Sequence, residues 1–111
     1  MTNPTVASYV ASRLSDLGID RVFGVPGDYA FAFNDEVEKC PTLKWIGCAN
    51  ELNASYAADG YARATGKVGV CVATSGPGAT NLVTGIANAY LDSSPVVAIT
   101  GQVAQIGRAH V

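Results

Sequence analysis

The chain has 111 residues, of which 49% are hydrophobic and 14% charged, and its net charge at pH 7 is −2. This length predicts at most one domain, and this composition predicts a buried core instead of a disordered chain. The slightly acidic charge gives nucleic acid no electrostatic attraction, and the apolar runs are shorter than the roughly 20 residues of a membrane span, so neither partner is expected.

The first residues contain neither the basic nor the apolar stretch of a signal peptide, so a cytoplasmic protein is expected. In chain order, Asn3 is predicted to cap the first helix, with Pro4 at its first position, and Gly18 to end it. Asp28 is predicted to cap the second helix. Helices are predicted at residues 4–17, 28–39, 50–65 and 79–91, and strands at 21–25, 43–47, 68–73 and 95–100.

This alternation predicts an α/β fold, a doubly wound open parallel sheet with helices on both faces, here truncated. The strand at 68–73 is apolar throughout, as expected for a strand covered on both faces. Ligands of such sheets bind beyond the carboxyl ends of the strands. We therefore expect Asp28, Glu51 and the glycine-containing loop 75–78 to lie near one edge.

Glu51 is the main candidate for a catalytic residue. An acidic residue in the first turn of a helix has a structural explanation, because it interacts favourably with the helix dipole. Its neighbours, however, are mostly small or apolar, among them Ile46, Cys48 and Leu52. A partly desolvated carboxyl group at a helix start also suits general acid–base chemistry. A lone carboxylate fits proton transfer to a bound ring nitrogen better than it fits metal or phosphate binding.

Other motifs are weak. Residues 76–81 resemble half of a dinucleotide-binding GxGxxG, but Asn81 stands where the third glycine belongs. Residues 60–67 resemble a phosphate-binding loop with the wrong spacing, and they end a helix instead of starting one. Cys40, Cys48 and Cys71 have no metal-binding spacing and are expected to be reduced and structural, and no metal site is expected. No nucleophilic triad can be built, so the difficult chemistry would come from a cofactor.

The last six residues, 106–111, can be encoded by the codons of a common short-read sequencing adapter translated in frame. We therefore expect the native sequence to stop near Gln105 and the gene to continue differently beyond it. On this hypothesis His110, the one histidine of the chain, is not native. Resequencing the locus from genomic DNA tests it, and a native gene that reads through the same codons would refute it.

Three separated motifs carry a family resemblance over about residues 4–103. These are FGVPGDY at 23–29, NELNASYAADGYAR at 50–63, and ATSGPGATNLVTGIA at 73–87, which continues to ITGQV at 99–103. In this order they resemble the N-terminal, pyrimidine-binding domain of thiamine diphosphate-dependent enzymes of the pyruvate or indolepyruvate decarboxylase and acetolactate synthase group. Residues 1–105 are accordingly identified as a partial domain of this kind.

The resemblance implies roles for individual residues. Glu51 would hydrogen-bond N1′ of the cofactor's aminopyrimidine and exchange a proton with it. Asp28 matches an aspartate that handles protons later in the decarboxylase reaction. The aminopyrimidine pocket would be lined by Pro26, Gly27, Thr74, Pro77 and Asn81. The resemblance also implies Mg²⁺, bound by a domain outside these residues, and a homodimer or homotetramer with the cofactor at the subunit interface.

The motifs leave the reaction open. The first two resemble decarboxylases and the third resembles synthases, so the favoured function is a fragment of a 2-oxo acid decarboxylase, inactive alone. The alternative is an acetolactate synthase-type carboligase, for which FAD is an additional expected cofactor. The histidine pair that decarboxylases carry just after the fourth strand is absent from these residues. An alternative of another class is a stand-alone, non-catalytic binding module or a split subunit.

Overall fold

The computed structural model of the protein describes residues 3–103. Its helices are α1 (Val6–Asp16), α2 (Phe31–Lys39), α3 (Glu51–Thr65), α4 (Pro77–Thr80) and α5 (Val83–Leu91), with a 3-10 turn at Asp28–Ala30. Its strands are β1 (Arg21–Gly24), β2 (Lys44–Gly47), β3 (Gly69–Ala73) and β4 (Val96–Thr100). Within this part of the chain, none of the helices combines the length and the apolar character of a membrane span.

The four strands form one parallel sheet in the order β2-β1-β3-β4. The chain leaves β1 towards β2 on one side and leaves β3 towards β4 on the other, so the direction of winding reverses between β1 and β3. In open α/β sheets, ligands bind in the crevice at such a reversal, beyond the carboxyl ends of the strands. The predicted fold class is confirmed, and the loops after β1 and β3 are the place to look for a site.

Each face of the sheet has its own hydrophobic core. Alternate side chains of β3 point to opposite faces, as the two-residue period of a strand requires. Val70 and Val72 join the core beneath α1 and α2, whereas Cys71 and Ala73 join the core beneath α3 and α5. Cys71 is fully buried, as predicted, and burial raises the pKa of its thiol to about 11. Helices therefore cover both faces.

The predicted bounds of α3 hold closely. The side chain of Asn50 caps the helix by accepting a hydrogen bond from the backbone N–H of Asn53 at 3.1 Å. Gly66 ends it with a φ of 74°, a left-handed conformation that costs glycine little. Gly18 ends α1 in the same way, with a φ of 81°. These ends were predictable because each is set by a local residue.

Three predicted element boundaries are wrong. Thr5, not Asn3, caps α1, because the Thr5 and Ser8 side chains and backbone N–H groups form a reciprocal capping box. Asp28 caps no helix; it begins the 3-10 turn, which has no side-chain cap. The helix predicted at 79–91 is two helices, α4 and α5, which are separated at Asn81 and Leu82.

A buried carboxylate joins α3 to α5. The side chain of Asp59 is only 5% exposed, and it accepts 2.9 Å hydrogen bonds from Arg63 Nε and Asn88 Nδ2. Arg63 also pairs with Asp92, just beyond α5. The hydrogen bond from Arg63 is the largest influence that lowers the pKa of Asp59. Protonation of this group would weaken the contact between the two helices.

We expect Asp59→Asn to destabilise the contact between α3 and α5 by about 1–3 kcal/mol at pH 7, because two charge-assisted hydrogen bonds are weakened. Folding lowers the pKa of Asp59, so the stabilisation that its carboxylate provides is fully present above the pKa of an aspartate in an unfolded chain, about 3.9. It is lost as the pH falls through the lower pKa of the folded protein. Hydrogen exchange of α3 and α5 amides against pH measures both effects. Asp16→Asn, in an exposed ion pair with Arg13, is the control and should change little.

Candidate active site

The loops that follow β1 and β3 meet at Thr74. A Cβ atom added to Gly27 would lie 2.5 Å from Thr74 Cβ, so only a glycine lets these two loops approach so closely. The backbone N–H of Tyr29 donates a 3.3 Å hydrogen bond to Thr74 Oγ1. The end of β4 joins them, because the backbone of Gly101 packs directly on that of Tyr29. Three strand ends thus converge, as the sequence predicted.

Glu51 stands at the same edge, as the first residue of α3. Asn50 immediately before it is the N-cap, so the side chain of Glu51 leaves the helix at its electropositive end. The carboxyl group is half-buried. Its Oε1 atom accepts a hydrogen bond from Nδ2 of Asn81, at 3.1 Å. Two residues that are 30 positions apart in the sequence are thus in direct contact.

Gly78 connects the carboxylate to the Thr74 cluster. A Cβ atom added to Gly78 would lie 2.8 Å from Thr74 Cγ2 and 3.5 Å from Glu51 Oε2. Gly78 is buried, and its missing side chain lets Thr74 and the Glu51 carboxylate pack close to the backbone of this loop. Gly27, Thr74, Gly78, Glu51 and Asn81 form one continuous group, which we call the Glu51 cluster.

The break between α4 and α5 positions Asn81. Asn81 ends α4, and the next residue, Leu82, is fully buried beneath α3 and β3. Burial of a leucine side chain contributes about 1.5–3 kcal/mol, enough to fix where the chain turns. The family resemblance implied a pocket-lining role for Asn81, but the sequence did not predict its contact with Glu51, because that contact depends on tertiary packing and leaves no local pattern.

The other predicted site residues lie on the rim. Pro26, Asp28 and Pro77 are exposed at the carboxyl edge of the sheet, in the loops that carry Gly27 and Gly78. Within residues 3–103, no hydrogen bond or ion pair joins Asp28 to Glu51. Asp28 is therefore connected to the Glu51 cluster only as the chain neighbour of Gly27.

The cluster offers one type of chemistry. It contains a single carboxylate, and no group of three or more potential metal ligands occurs in the described part of the chain. A cavity of about 620 Å³ lies elsewhere, between α1 and α2, and is lined by apolar residues such as Val10 and Phe33. The Glu51 cluster instead combines one half-buried carboxylate with glycine backbone and an exposed amide, and a carboxylate is a group suited to proton transfer.

Comparison with known proteins agrees with this geometry. The family model described as "Thiamine pyrophosphate enzyme, N-terminal TPP binding domain" matches residues 4–110. An acetolactate synthase of Arthrospira platensis is 58% identical over 78% of this chain and 15% of the relative. An acetolactate synthase of Mycobacterium avium is 52% identical over 89% of this chain and 16% of the relative. An alpha-keto-acid decarboxylase of Mycobacterium bovis is 48% identical over 87% of this chain and 17% of the relative.

These matches confirm the resemblance that the three sequence motifs indicated. The chain spans only 15–17% of the length of these relatives. The hypothesis of a non-native tail at 106–111 concerns residues outside those that the structure describes, and the domain division at 105 stays a prediction. The match over nearly the whole chain means that this protein belongs to the thiamine pyrophosphate enzymes, of which it carries the N-terminal TPP binding domain.

Proposed function

We propose that the full-length protein is a thiamine diphosphate-dependent enzyme that decarboxylates a 2-oxo acid. In this proposal the present chain binds the cofactor's aminopyrimidine, and Glu51 exchanges a proton with ring nitrogen N1′. The observation that carries the proposal is the position of the Glu51 carboxylate at the carboxyl edge of the sheet, where the loops after β1 and β3 converge. A proton-transfer group belongs at this edge, because ligands of this fold bind there.

The residues present fit the aminopyrimidine. Gly27 and Gly78 let their loops pack on Thr74 beside Glu51, because a Cβ atom on either residue would collide with the threonine side chain. The methyl group of Thr74 gives that ring an apolar contact, and the carboxylate of Glu51 gives its ring nitrogen a hydrogen-bond partner. Pro26, Pro77 and Asn81 on the rim are proposed to complete the pocket.

The bound cofactor would supply the group that accepts the electron pair released when CO₂ leaves the substrate. Glu51 would hold and return the proton at N1′. Glu51 is half-buried, and partial removal from water strengthens the interaction of a carboxylate with a ring cation. Asp28, exposed on the loop after β1, is proposed to move a proton to or from the reacting substrate.

Further components belong to the whole protein. We propose that Mg²⁺ is bound by a part of the protein outside this chain, and that the enzyme is a homodimer or homotetramer with the cofactor between subunits. FAD is proposed only for the synthase alternative. A cytoplasmic location stays a prediction.

A carboligase is the second candidate, because the most identical of the relatives described above, at 58%, is named acetolactate synthase. Product analysis with pyruvate as substrate separates the two candidates. A decarboxylase releases acetaldehyde, whereas an acetolactate synthase joins two pyruvate-derived units into acetolactate. A full-length protein that binds thiamine diphosphate but consumes no 2-oxo acid would favour the third candidate, the non-catalytic module.

We expect Asp28→Asn to lower turnover of the full-length enzyme by roughly 10²-fold or more, the lower end of general acid–base contributions. Exchange of the C2 hydrogen of the bound cofactor with solvent should change much less, because that step depends on Glu51. Asp35→Asn, an exposed aspartate on α2, serves as the control. Equal losses of turnover and of C2–H exchange in the Asp28 variant would remove the proposed role.

A further inference from the structure

Asn81 has an unusual place in the Glu51 cluster. It is exposed, so it contributes little to the core, yet its amide reaches across to α3 and donates to Glu51 Oε1 at 3.1 Å. Within residues 3–103, this is the one hydrogen bond that the carboxylate of Glu51 makes. The contact is also specific in direction, since a carboxylate can only accept and the amide nitrogen can only donate.

The two carboxylate oxygens are therefore not equivalent. Oε1 is held by Asn81, whereas Oε2 lies on the side of Gly78 and has no hydrogen-bond partner within residues 3–103. Any Cβ atom on residue 78 would lie 3.5 Å from Oε2 and would collide with the methyl group of Thr74, so the loop can pack here only with glycine. Oε2 is not among the buried polar atoms that lack a partner in the described residues, so it is accessible to a ligand.

We propose that Asn81 is a positioning residue, which holds Oε1 of Glu51 so that Oε2 is the oxygen presented to N1′ of the aminopyrimidine. This inference rests on the proposed function, because it concerns how Glu51 meets the same ring. It assigns to Asn81 a contact with the protein's own acid–base group in place of the pocket-lining role that the resemblance implied.

The physical basis is the flexibility of a glutamate side chain. A free glutamate at a helix start samples several rotamers and loses that freedom when it binds a ligand. A hydrogen bond made before the ligand arrives removes part of this cost, which is the general advantage of preorganisation. Burial of Leu82 fixes the chain next to Asn81, so the amide itself has a rigid support.

The test compares two ligands in the full-length protein. One is thiamine diphosphate, and the other is its 1′-deaza analogue, in which a C–H group replaces N1′. Their dissociation constants, measured by isothermal titration calorimetry with Mg²⁺ present, give a discrimination ratio that reports only the hydrogen bond to N1′. In the unaltered protein we expect thiamine diphosphate to bind roughly 10- to 100-fold more tightly, the effect of one hydrogen bond to a charged group.

Variants of Asn81 then test the positioning role. We expect Asn81→Ala, and the nearly isosteric Asn81→Asp, which cannot donate to a carboxylate when ionised, to lower this ratio to about threefold or less. The matched control is Asn53→Ala, an exposed asparagine on α3 whose side chain makes no hydrogen bond within residues 3–103. Thermal unfolding of each variant checks that the fold is intact.

The outcomes separate the inference from the function on which it rests. If the unaltered protein and Glu51→Ala, which removes every hydrogen-bonding atom of the side chain, show the same ratio, the proposed contact of Glu51 with N1′ is wrong, and the inference fails with it. If the ratio depends on Glu51 but stays unchanged in both Asn81 variants, the positioning role alone is overturned. A ratio that collapses in both Asn81 variants and holds in Asn53→Ala supports it.

Discussion

Replacement of Glu51 by glutamine should lower turnover of the full-length enzyme by several orders of magnitude while leaving the fold intact. Loss of general acid–base catalysis alone typically costs roughly 10²–10⁴-fold, and activation of the cofactor precedes every later step. The glutamine side chain keeps the size of the glutamate and can still accept from Asn81, so the packing around α3 is preserved. What it loses is the ability to give and take a proton. Steady-state rates of 2-oxo acid consumption measure the effect.

A second glutamate-to-glutamine substitution controls for the loss of one negative charge from the protein surface. Glu38 is an exposed glutamate on α2 that takes no part in the contacts of the Glu51 cluster, and Glu38→Gln is expected to leave turnover unchanged. Circular dichroism and thermal unfolding of both variants check the fold. Near-normal turnover of Glu51→Gln would defeat the assignment of Glu51 as the acid–base group.

The largest expected effect on stability comes from a glycine where α3 crosses the sheet. Gly69 begins β3, and a Cβ atom there would lie 2.7 Å from the backbone carbonyl carbon of Ala58 and closer still to its oxygen. The obstacle is helix backbone, which cannot rotate away as the end of a side chain can. Because overpacking of this kind costs about 1–3 kcal/mol or more, we expect Gly69→Ala to lower the local stability of β3 by about 3 kcal/mol. Hydrogen exchange of β3 amides in the full-length protein measures the change.

Gly60, in the helix α3 that packs on β3, is a glycine whose replacement by alanine is expected to be stabilising. It lies inside α3, is exposed, and has no atom within 4 Å of a Cβ added to it. Alanine there should stabilise α3 by about 0.5–1 kcal/mol, because glycine is a poor helix former. A Gly69→Ala protein whose β3 amides exchange at the unaltered rate would show that α3 does not approach the sheet as closely as described.

Local signals made most of the fold predictable from the sequence. The apolar runs in β3 and β4 and the glycine that ends α3 act within a few residues of the element they define, and the bounds of these elements were predicted to within one or two residues. The capping error at α1 has the same local origin, since Asn3 and Thr5 are both good caps and the capping box with Ser8 decides between them. Element boundaries that depend on neighbouring residues can therefore be predicted from the sequence.

The candidate site was predictable in location but not in its contacts. Ligands bind beyond the carboxyl ends of parallel strands, and this rule correctly predicted that Glu51 and the loop at 75–78 lie near one edge of the sheet. The hydrogen bond between Glu51 and Asn81 lies at the break between α4 and α5, which falls beside the buried Leu82 and contains no helix-breaking residue. Periodicity predicted a single helix there, because tertiary packing overrides local propensity without leaving a sequence signal.

The most direct test of the proton-transfer role is the rate at which the C2 hydrogen of bound thiamine diphosphate exchanges with deuterium in the solvent. This measurement follows cofactor activation before any substrate is present, so later steps do not obscure it. We expect exchange in Glu51→Gln to be slower than in the unaltered full-length protein by at least roughly 10²-fold, with the cofactor saturating in both. Equal exchange rates in the two proteins would contradict the account, because Glu51 would then have no part in moving the proton.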